Sequence, residues 1–288
     1  MRVSREIESL APYVPGPAIG EVRRQYGVQS IIKLASNENP LGTSPRVQAL
    51  LAQVDTVERY PDAYSFDLLE SLASSTGYTQ EWITCGNGSN ELIDLLIRVL
   101  CEPGDRIVTS EYAFVGYRIC AQAARVRTVE IPAQSDLSFD LDKFILYFEK
   151  FADEKDKIVF LPNPNNPTGT YFNDKTFQRF LAVMEKHPNT LIVLDEAYFE
   201  YVRAQDFPKT RALIKKTPNL SVLYTFSKAY GMAGLRLGYL LAHPEIIGWI
   251  NRIRNPFNIN SLAQLAAIEA LKDQEFLQKS VQMVWSEM

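Results

Sequence analysis

The sequence contains few of the residues on which several classes of protein depend. Its 288 residues include three cysteines and two histidines. Cys85, Cys101 and Cys120 are widely spaced and form no C-x-x-C motif, which favours free thiols in a reducing cytoplasm over a disulfide framework. With only His187 and His243 available, neither a histidine-based zinc site nor a Ser-His-Asp triad is expected, and no metal site is predicted.

An excess of one charge and long apolar runs are also lacking. The 30 Lys and Arg residues are balanced by 34 Asp and Glu residues, so nothing indicates a basic surface for nucleic acid or a polybasic membrane anchor. No apolar run is long enough to span a membrane, and the mixed, charged N-terminus lacks the apolar core of a signal peptide. These absences predict a cytoplasmic protein, matured without cleavage, that binds neither nucleic acid nor membrane.

What is present is a globular composition and an alternation of strand and helix patterns. Hydrophobic residues make up 46% of the chain and charged residues 22%. From Trp82 onward, short apolar strands alternate with amphipathic helices, after a predicted turn over Cys85–Gly88. This order predicts an α/β fold with a mainly parallel sheet covered on both faces. The last stretch, from Ser261, has a helical pattern that continues to Met288 without a stop signal, which predicts that the chain is cut short.

In parallel sheets, ligands bind at the carboxyl ends of the strands, so residues just after each strand are the first candidates for a site. Asp195 ends one apolar strand, where a buried carboxylate needs a cation or strong donors; a pyridinium nitrogen is one such partner. Lys228 follows another strand, where partial burial would lower its pKa and suit it to Schiff-base chemistry. Taken alone, each has a simpler interpretation: Asp195 as a helix cap and Lys228 as a surface lysine.

Three further segments supply polar groups at the same predicted edge. The loop NPNNPTG at 163–169 is stiffened by its prolines and presents Asn amides, Asn166 among them. Thr225, Ser227 and Arg236 offer hydroxyls and a guanidinium fork to a phosphate. A glycine turn at 86–88 precedes a helix whose first amides can bind an anion. A ligand-free turn explains each loop separately, but the combination predicts a site for a phosphorylated cofactor.

These motifs also carry a family resemblance. The order NPNNPTG, DEAY at 195–198 and TFSKAYGMAGLRLGY at 225–239 resembles the class I and II aminotransferases of fold type I, whose large domain has a mainly parallel seven-stranded sheet between helices. The segments 34–42, 59–62 and 255–264 are more similar to histidinol-phosphate aminotransferases. The resemblance implies an N-terminal arm at 1–35, a large domain binding pyridoxal 5′-phosphate at 36–254, and an incomplete small domain beginning at 255–288.

The resemblance also implies a role for each matching residue. Lys228 resembles the lysine that binds the cofactor and shuttles the α-proton, and Asp195 the partner of the pyridine nitrogen. Asn166 and Tyr198 resemble the ligands of the ring oxygen. The other implied residues are Ser89, Asn90, Ser227 and Arg236 around the phosphate, Phe114 stacked on the ring, Tyr60 reaching the phosphate of a neighbouring subunit, and Asn37 near the substrate.

The family implies a homodimer with shared active sites, an amino donor, and a 2-oxo acid acceptor such as 2-oxoglutarate. The same scaffold also serves aromatic aminotransferases and phosphothreonine-type decarboxylases, and the cofactor residues do not distinguish these reactions. A different class of function also stays open. The small C-terminal domain of the family supplies an arginine that grips the substrate, and a chain without it could be an inactive cofactor-binding fragment.

Overall fold

The computed structural model describes residues 3–55 and 57–288, so the first two residues of the predicted arm lie outside it. The strands are β1 Ile83–Asn87, β2 Arg106–Ser110, β3 Arg127–Ile131, β4 Asp156–Pro162, β5 Leu191–Asp195, β6 Leu220–Thr225 and β7 Leu237–Leu241. The helices are α1 Arg5–Glu8, α2 Ile19–Tyr26, α3 Pro45–Leu51, α4 Phe66–Thr76, α5 Ser89–Leu100, α6 Gly116–Ala123, α7 Leu141–Lys150, α8 Asp174–Met184, α9 Arg211–Ile214, α10 Pro244–Ile253, α11 Ser261–Lys272 and α12 Gln274–Glu287.

The seven strands form a single sheet in the order β1-β7-β6-β5-β4-β2-β3. Every neighbouring pair from β6 to β3 is parallel, whereas β7 is antiparallel to both β6 and β1. Because β7 lies between them, β1 and β6 run in the same direction. The carboxyl ends of six strands therefore meet at one edge of the sheet. The predicted α/β class and mainly parallel seven-stranded sheet are confirmed.

Helices cover both faces of the sheet because side chains along each strand point alternately to opposite sides. In β4, Ile158 and Phe160 belong to a core shared with α5, α6 and α10, whereas Val159 and Leu161 belong to a core shared with α7 and α8. All four are fully buried, so the strand is apolar throughout, as a central parallel strand should be. Burying a side chain the size of Phe160 stabilises the fold by roughly 1.5–3 kcal/mol.

Two boundaries differ from the sequence predictions. Cys85–Gly88 is not wholly a turn, because β1 continues to Asn87 and pairs with β7. The C-terminal pattern is two helices rather than one. Asp273 leaves the helical conformation (φ −94°, ψ 68°), and its carboxylate accepts a hydrogen bond from the backbone N–H of Phe276 at 3.1 Å. A new helix therefore begins after Asp273.

Part of the N-terminal region lies against the edge of the sheet at which the carboxyl ends of the six strands meet. An ideal Cβ at Gly231, after β6, would overlap the backbone carbonyl of Gly42, and Asn39 donates a hydrogen bond to the carbonyl of Ala229 at 3.0 Å. The loop after β6 is therefore covered by residues 39–42. Across residues 3–55 and 57–288, no helix is both long and apolar enough to cross a membrane.

Candidate active site

Several of the predicted site residues follow strands that end at one edge of the sheet. Asp195 is the last residue of β5, and Thr225, the last of β6, is followed by Ser227 and Lys228. Asn166 follows β4, in a loop that includes two cis X-Pro bonds. Ser89 begins α5 directly after β1 and Gly88. Neighbouring strands thus deliver a carboxylate, an amine and an amide to the same edge.

Asp195 is a buried carboxylate whose hydrogen-bond donors are neutral. The hydroxyl of Tyr117 donates to its Oδ2 at 2.6 Å, and the backbone N–H of Ala197 donates to its Oδ1 at 3.2 Å. Asp195 is only 6% exposed, and no cationic group of the described chain lies within salt-bridge distance of it. Burial raises the pKa of the Asp195 carboxyl, while the two hydrogen bonds and the charge of Lys228 oppose that rise.

Lys228 is held partly out of water beside an aromatic ring. Its Nζ donates to the carbonyl oxygen of Ser36 at 2.8 Å and lies 5.7 Å from the centroid of the Tyr198 ring. Burial lowers the pKa of Lys228, Glu38 acts in the opposite direction, and Arg236 lowers it further. The amine therefore loses its proton more easily than an exposed lysine does.

Tyr198 links the site to the N-terminal segment. The side-chain amide of Asn37 donates to the Tyr198 hydroxyl at 2.9 Å. Burial raises the pKa of Tyr198, so the phenol stays protonated and can donate a hydrogen bond of its own. Ser36 and Asn37 both have left-handed backbone conformations (φ 72° and 50°), which turn this segment toward the site.

A guanidinium and a helix N-terminus form a second part of the site. Gly88 has φ +77°, and a Cβ there would overlap the guanidinium of Arg236, so glycine leaves the space that this side chain occupies. Arg236 donates to Ser227 Oγ at 3.5 Å and to the carbonyl of Ala233 at 3.0 Å. It forms no salt bridge with a carboxylate of the described residues. A cation without a carboxylate, close to the start of α5, suits an anion such as phosphate.

Phe114 and Asn90 converge on Gly116. An ideal Cβ at Gly116 would lie 2.8 Å from Cζ of Phe114 and 3.0 Å from Oδ1 of Asn90. The ring of Phe114 is half-buried and meets the ring of Tyr117 edge-on, with centroids 5.6 Å apart. A flat aromatic face is thus available close to the residues that surround Asp195.

The loop carrying Asn166 is fixed by its two neighbouring asparagines. Asn163 donates to the carbonyl of Phe172 at 3.2 Å and accepts from the N–H of the same residue at 3.0 Å. Asn165 donates to the carbonyl of Tyr112 at 3.1 Å and to Thr168 Oγ1 at 2.8 Å. Asn166 itself is half-buried between these anchors. The side chain predicted to bind the ligand therefore sits on a rigid loop.

Of the predicted site residues, Thr225 holds a loop in place and Tyr60 is exposed on the surface. The hydroxyl of Thr225 donates to the carbonyl of Leu237 at 3.4 Å and accepts from the N–H of Ser227 at 3.1 Å, so it holds the loop that carries Ser227. Tyr60 is 81% exposed and stacks on Phe257, with centroids 4.6 Å apart. An exposed position is consistent with contact to another chain, as the resemblance implies.

The sequence analysis assigned no role to three residues that contact or influence this site. Tyr117 binds Asp195, the carbonyl of Ser36 accepts from Lys228, and Glu38 raises the pKa of Lys228. Only Tyr117 left a signal: it is a second aromatic residue in the same short segment as Phe114, three positions further along the chain. A backbone carbonyl has no sequence signature, and the approach of Glu38 depends on how the N-terminal segment folds back.

Comparison with known proteins agrees with the geometry. A family model described as aminotransferase class I and II matches residues 29–287. The chain is 44% identical over 286 residues to histidinol-phosphate aminotransferase of Bdellovibrio bacteriovorus, covering 99% of this chain and 77% of that protein. It is also 44% identical over 281 residues to histidinol-phosphate aminotransferase 2 of Ralstonia nicotianae, covering 96% of this chain and 73% of that protein.

Solved structures show the same relationship. Histidinol-phosphate aminotransferase from Sinorhizobium meliloti, in complex with pyridoxal-5′-phosphate, superposes with a TM-score of 0.87 at 30% identity, covering 98% of this chain and 74% of that chain. Aspartate aminotransferase from Thermus thermophilus with maleate superposes with a TM-score of 0.81 at 21% identity, covering 98% of this chain and 76% of that chain. The second similarity is one of fold.

Proposed function

The chain belongs to the aminotransferase class I and II family, and from this premise we propose that it transfers the amino group of L-histidinol phosphate to 2-oxoglutarate with pyridoxal phosphate as cofactor. The observation that carries the proposal is the meeting of a partly buried lysine, Lys228, with a buried carboxylate, Asp195, that has no cationic partner among the described residues. The relatives at 41–44% identity all have histidinol phosphate in their names, which supports this donor.

The residues present suit pyridoxal phosphate. Asp195 accepts hydrogen bonds from two neutral donors, and a protonated pyridine nitrogen is the kind of cation that its buried charge lacks. Gly88 leaves the guanidinium of Arg236 in a space that a Cβ would fill, next to the start of α5, where a phosphate is favoured. We propose that Ser89, Asn90, Ser227 and Arg236 bind the phosphate, that Phe114 stacks on the ring, and that Asn166 and Tyr198 bind its phenolic oxygen.

The bound cofactor supplies an aldehyde for the donor amine and a ring that accepts electrons during the reaction. Lys228 is the base in our proposal. Because burial lowers its pKa, a larger fraction of its amine is neutral near neutral pH and can take a proton from the donor's α-carbon. Its Nζ lies above the Tyr198 ring, and Tyr198 is fixed by Asn37, so the amine is held on one side of the site.

We propose that Asn37 also meets the substrate, because it lies on the exposed N-terminal segment and already contacts Tyr198. Its amide can turn from the phenol to a polar group of the donor. Residues 39–42 cover the loop after β6, so this segment forms one wall of the site.

The proposal includes a homodimer with shared sites and a cytoplasmic location. The exposed apolar side chains of the described residues concentrate in two stretches, 13–34 and 57–66, with Val14 84%, Leu34 88% and Tyr60 81% exposed. Apolar surface of this extent favours contact with another chain, and Tyr60 would approach the phosphate of that partner. Cys85, Cys101 and Cys120 are free thiols, which supports a reducing compartment.

The test is a coupled assay of glutamate formation from 2-oxoglutarate, with L-histidinol phosphate, L-phenylalanine and O-phospho-L-threonine compared as substrates. We expect kcat/KM to be highest for L-histidinol phosphate, by a factor of about 10² or more. A higher value for L-phenylalanine would make the chain an aromatic aminotransferase. Carbon dioxide release from phosphothreonine would instead identify a decarboxylase. Cofactor binding without turnover of any donor would contradict the proposal as a whole.

A further inference from the structure

Tyr117 contacts the carboxylate at the centre of the site through a short hydrogen bond. It lies in the first turn of α6, its side chain is fully buried, and its hydroxyl donates to Oδ2 of Asp195 at 2.6 Å. That distance is typical of O–H···O bonds to a charged acceptor, which are shorter than bonds between neutral groups. Neither the fold nor the core requires a polar group here, because phenylalanine would fill the same volume.

The ring of Tyr117 is fixed on two sides. It stacks on Phe160 of β4, with centroids 4.6 Å apart and planes 9° apart. It meets Phe114 edge-on, with centroids 5.6 Å apart and planes 87° apart. Offset stacking and edge-to-face contact are both favourable geometries for aromatic rings. The hydroxyl is therefore held pointing at Asp195.

The two oxygens of Asp195 are held by different donors. Tyr117 binds Oδ2, and the backbone N–H of Ala197 binds Oδ1. Donors on both oxygens fix the plane of the carboxylate, whereas one donor alone would allow it to rotate. Carboxylate oxygens have further lone pairs, so one direction stays open for another donor.

We propose that Tyr117 is a positioning residue that keeps Asp195 charged and oriented toward the ring nitrogen of pyridoxal phosphate; this rests on the function proposed above. Because Tyr117 contacts Asp195 and not the reacting atoms, it acts through the carboxylate. Its effect is on where the proton between Asp195 and the ring nitrogen resides. A proton on the nitrogen makes the ring a better acceptor of electrons.

The position of the proton between Asp195 and the ring nitrogen depends on the burial of Asp195 and on the hydrogen bond from Tyr117. Burial raises the pKa of Asp195, which favours the neutral acid, and the hydrogen bond from Tyr117 opposes this by stabilising the carboxylate. Burial, together with the neighbouring carboxylate, also raises the pKa of Tyr117, so the phenol keeps its proton and stays a donor. Without the hydroxyl, Asp195 is more basic and competes better for the proton on the ring nitrogen.

The test uses the protein loaded with pyridoxal phosphate labelled with ¹⁵N in the ring, and it compares Tyr117→Phe with wild type. The ¹⁵N chemical shift reports the protonation of the ring nitrogen directly, without turnover. We expect the Tyr117→Phe signal to move toward that of the unprotonated pyridine. We also expect kcat to fall about 10-fold with KM changed less than about 2-fold, the size expected for loss of one hydrogen bond to a charged group.

Tyr147→Phe is the matched control. The Tyr147 hydroxyl donates to Oδ1 of Asp156 at 3.0 Å, at the opposite end of β4, so this variant also removes a tyrosine–aspartate hydrogen bond. It should leave the ¹⁵N shift and kcat unchanged. If Tyr117→Phe does not fold, 4-aminophenylalanine placed at position 117 keeps the ring and a weaker donor, and a smaller shift in the same direction is expected.

Asp195→Asn separates failure of this inference from failure of the proposed function. If Asp195→Asn moves the ¹⁵N signal and Tyr117→Phe does not, Asp195 contacts the ring nitrogen but Tyr117 has no part in it, and the inference is overturned. If Asp195→Asn also leaves the signal unchanged, the placement of the cofactor ring against Asp195 is wrong. An equal effect of Tyr147→Phe would likewise overturn the inference, because the change would then be a general consequence of lost stability.

Discussion

The amine of Lys228 is subject to opposing influences from its neighbours. Burial and Arg236 lower its pKa, and Glu38 raises it. Glu38 is also paired with Lys33, at 2.7 Å between Nζ and Oε1. The reactivity of the lysine is therefore set partly by the N-terminal segment, well away from it in sequence.

Replacing Glu38 with Gln should make Lys228 reactive at lower pH. Loss of the negative charge removes the influence that raises the pKa of Lys228. The rate at which apoprotein captures pyridoxal phosphate rises with pH as the amine loses its proton. We expect the midpoint of that profile to move to lower pH, and the shift to be larger at low salt than at high salt.

Glu130→Gln is the control for this experiment, because Glu130 pairs with Arg118 at 3.4 Å on the far edge strand β3. It makes the same change in net charge and should not move the midpoint. A shift of the same size in both variants would show that net charge, and not the position of Glu38, controls the lysine.

At this scale the sequence predicted the residues that lie directly after strands, such as Asp195 and Lys228, because strand ends in a parallel sheet have a known place. It could not predict the contacts of those residues that come from distant parts of the chain. The carbonyl of Ser36 meets Lys228 across 192 positions, and Tyr117 meets Asp195 across 78. Such contacts depend on three-dimensional packing, and the roles assigned to the site residues remain predictions until they are tested.

At the scale of the elements, two glycines allow α5 to begin close to the sheet. Gly86 in β1 and Gly238 in β7 are directly paired. A Cβ at Gly238 would lie 2.5 Å from the backbone nitrogen of Ser89 and 2.9 Å from the carbonyl oxygen of Tyr224. Both contacts are with backbone atoms, which cannot move aside as a flexible side chain can.

Gly238→Ala should therefore destabilise the fold and weaken cofactor binding together. The added methyl group must push the start of α5 away from the sheet, and overpacking of this kind costs about 1–3 kcal/mol of unfolding free energy. Because Ser89 and Asn90 begin that helix, we expect the affinity for pyridoxal phosphate to fall as well. Urea unfolding of the apoprotein and quenching of protein fluorescence by the cofactor measure the two effects.

Gly248→Ala should instead stabilise the fold and leave cofactor binding unchanged. Gly248 lies exposed inside α10, and a Cβ there meets nothing within 4 Å. Alanine is the better helix former, so unfolding free energy should rise by about 0.5–1 kcal/mol with no change in cofactor affinity. If Gly238→Ala behaves like Gly248→Ala, close packing of α5 against β7 is not what places the phosphate site.

The sequence predicted most of the elements because the apolar periodicity of strand and helix is strong from β2 onward. It missed β1 as a strand because Gly86, Asn87 and Gly88 are typical of a turn. Here Gly86 is needed for close packing, since a Cβ at this position would lie 2.6 Å from Cγ of Leu92. The break at Asp273 was also missed, because an isolated aspartate within a helical pattern gives a weak signal until its capping contact is seen.

At the scale of the whole molecule, the proposed shared site has a consequence for mixtures of inactive variants. Lys228→Ala and Tyr60→Ala should each be impaired as homodimers. In a mixed dimer, one site receives both altered residues and the other receives both normal ones. Unfolding and refolding an equal mixture should therefore restore about one quarter of the wild-type activity, as expected for random pairing in a two-fold dimer.

Mixing Lys228→Ala with Asp195→Ala is the control, because in the proposed dimer one subunit contributes both Lys228 and Asp195 to a given site. Every site in that mixture keeps one defect, so activity should not return. If the first mixture also stays inactive while sedimentation shows dimers, Tyr60 does not cross to the partner subunit. If sedimentation shows only monomers, the proposed dimer is wrong.

The division of the chain at residues 35 and 254 remains a prediction. α11 packs its alanines, Ala263, Ala266, Ala267 and Ala270, into the same core as α3 and α4, so residues 261–272 share a core with the proposed large domain. The sheet and its order were within reach of sequence analysis, because strand–helix alternation restricts the topology. The sequence could not predict how the segments outside the sheet pack against it.

The central claim is that Lys228 is the residue to which pyridoxal phosphate is attached. The most direct test is to reduce the loaded protein with borohydride, digest it, and locate the phosphopyridoxyl group by mass spectrometry. We expect the group on the peptide that contains Lys228, in one equivalent per chain, and its loss in Lys228→Ala. A group found on a different lysine, or one that persists in Lys228→Ala, would contradict the account.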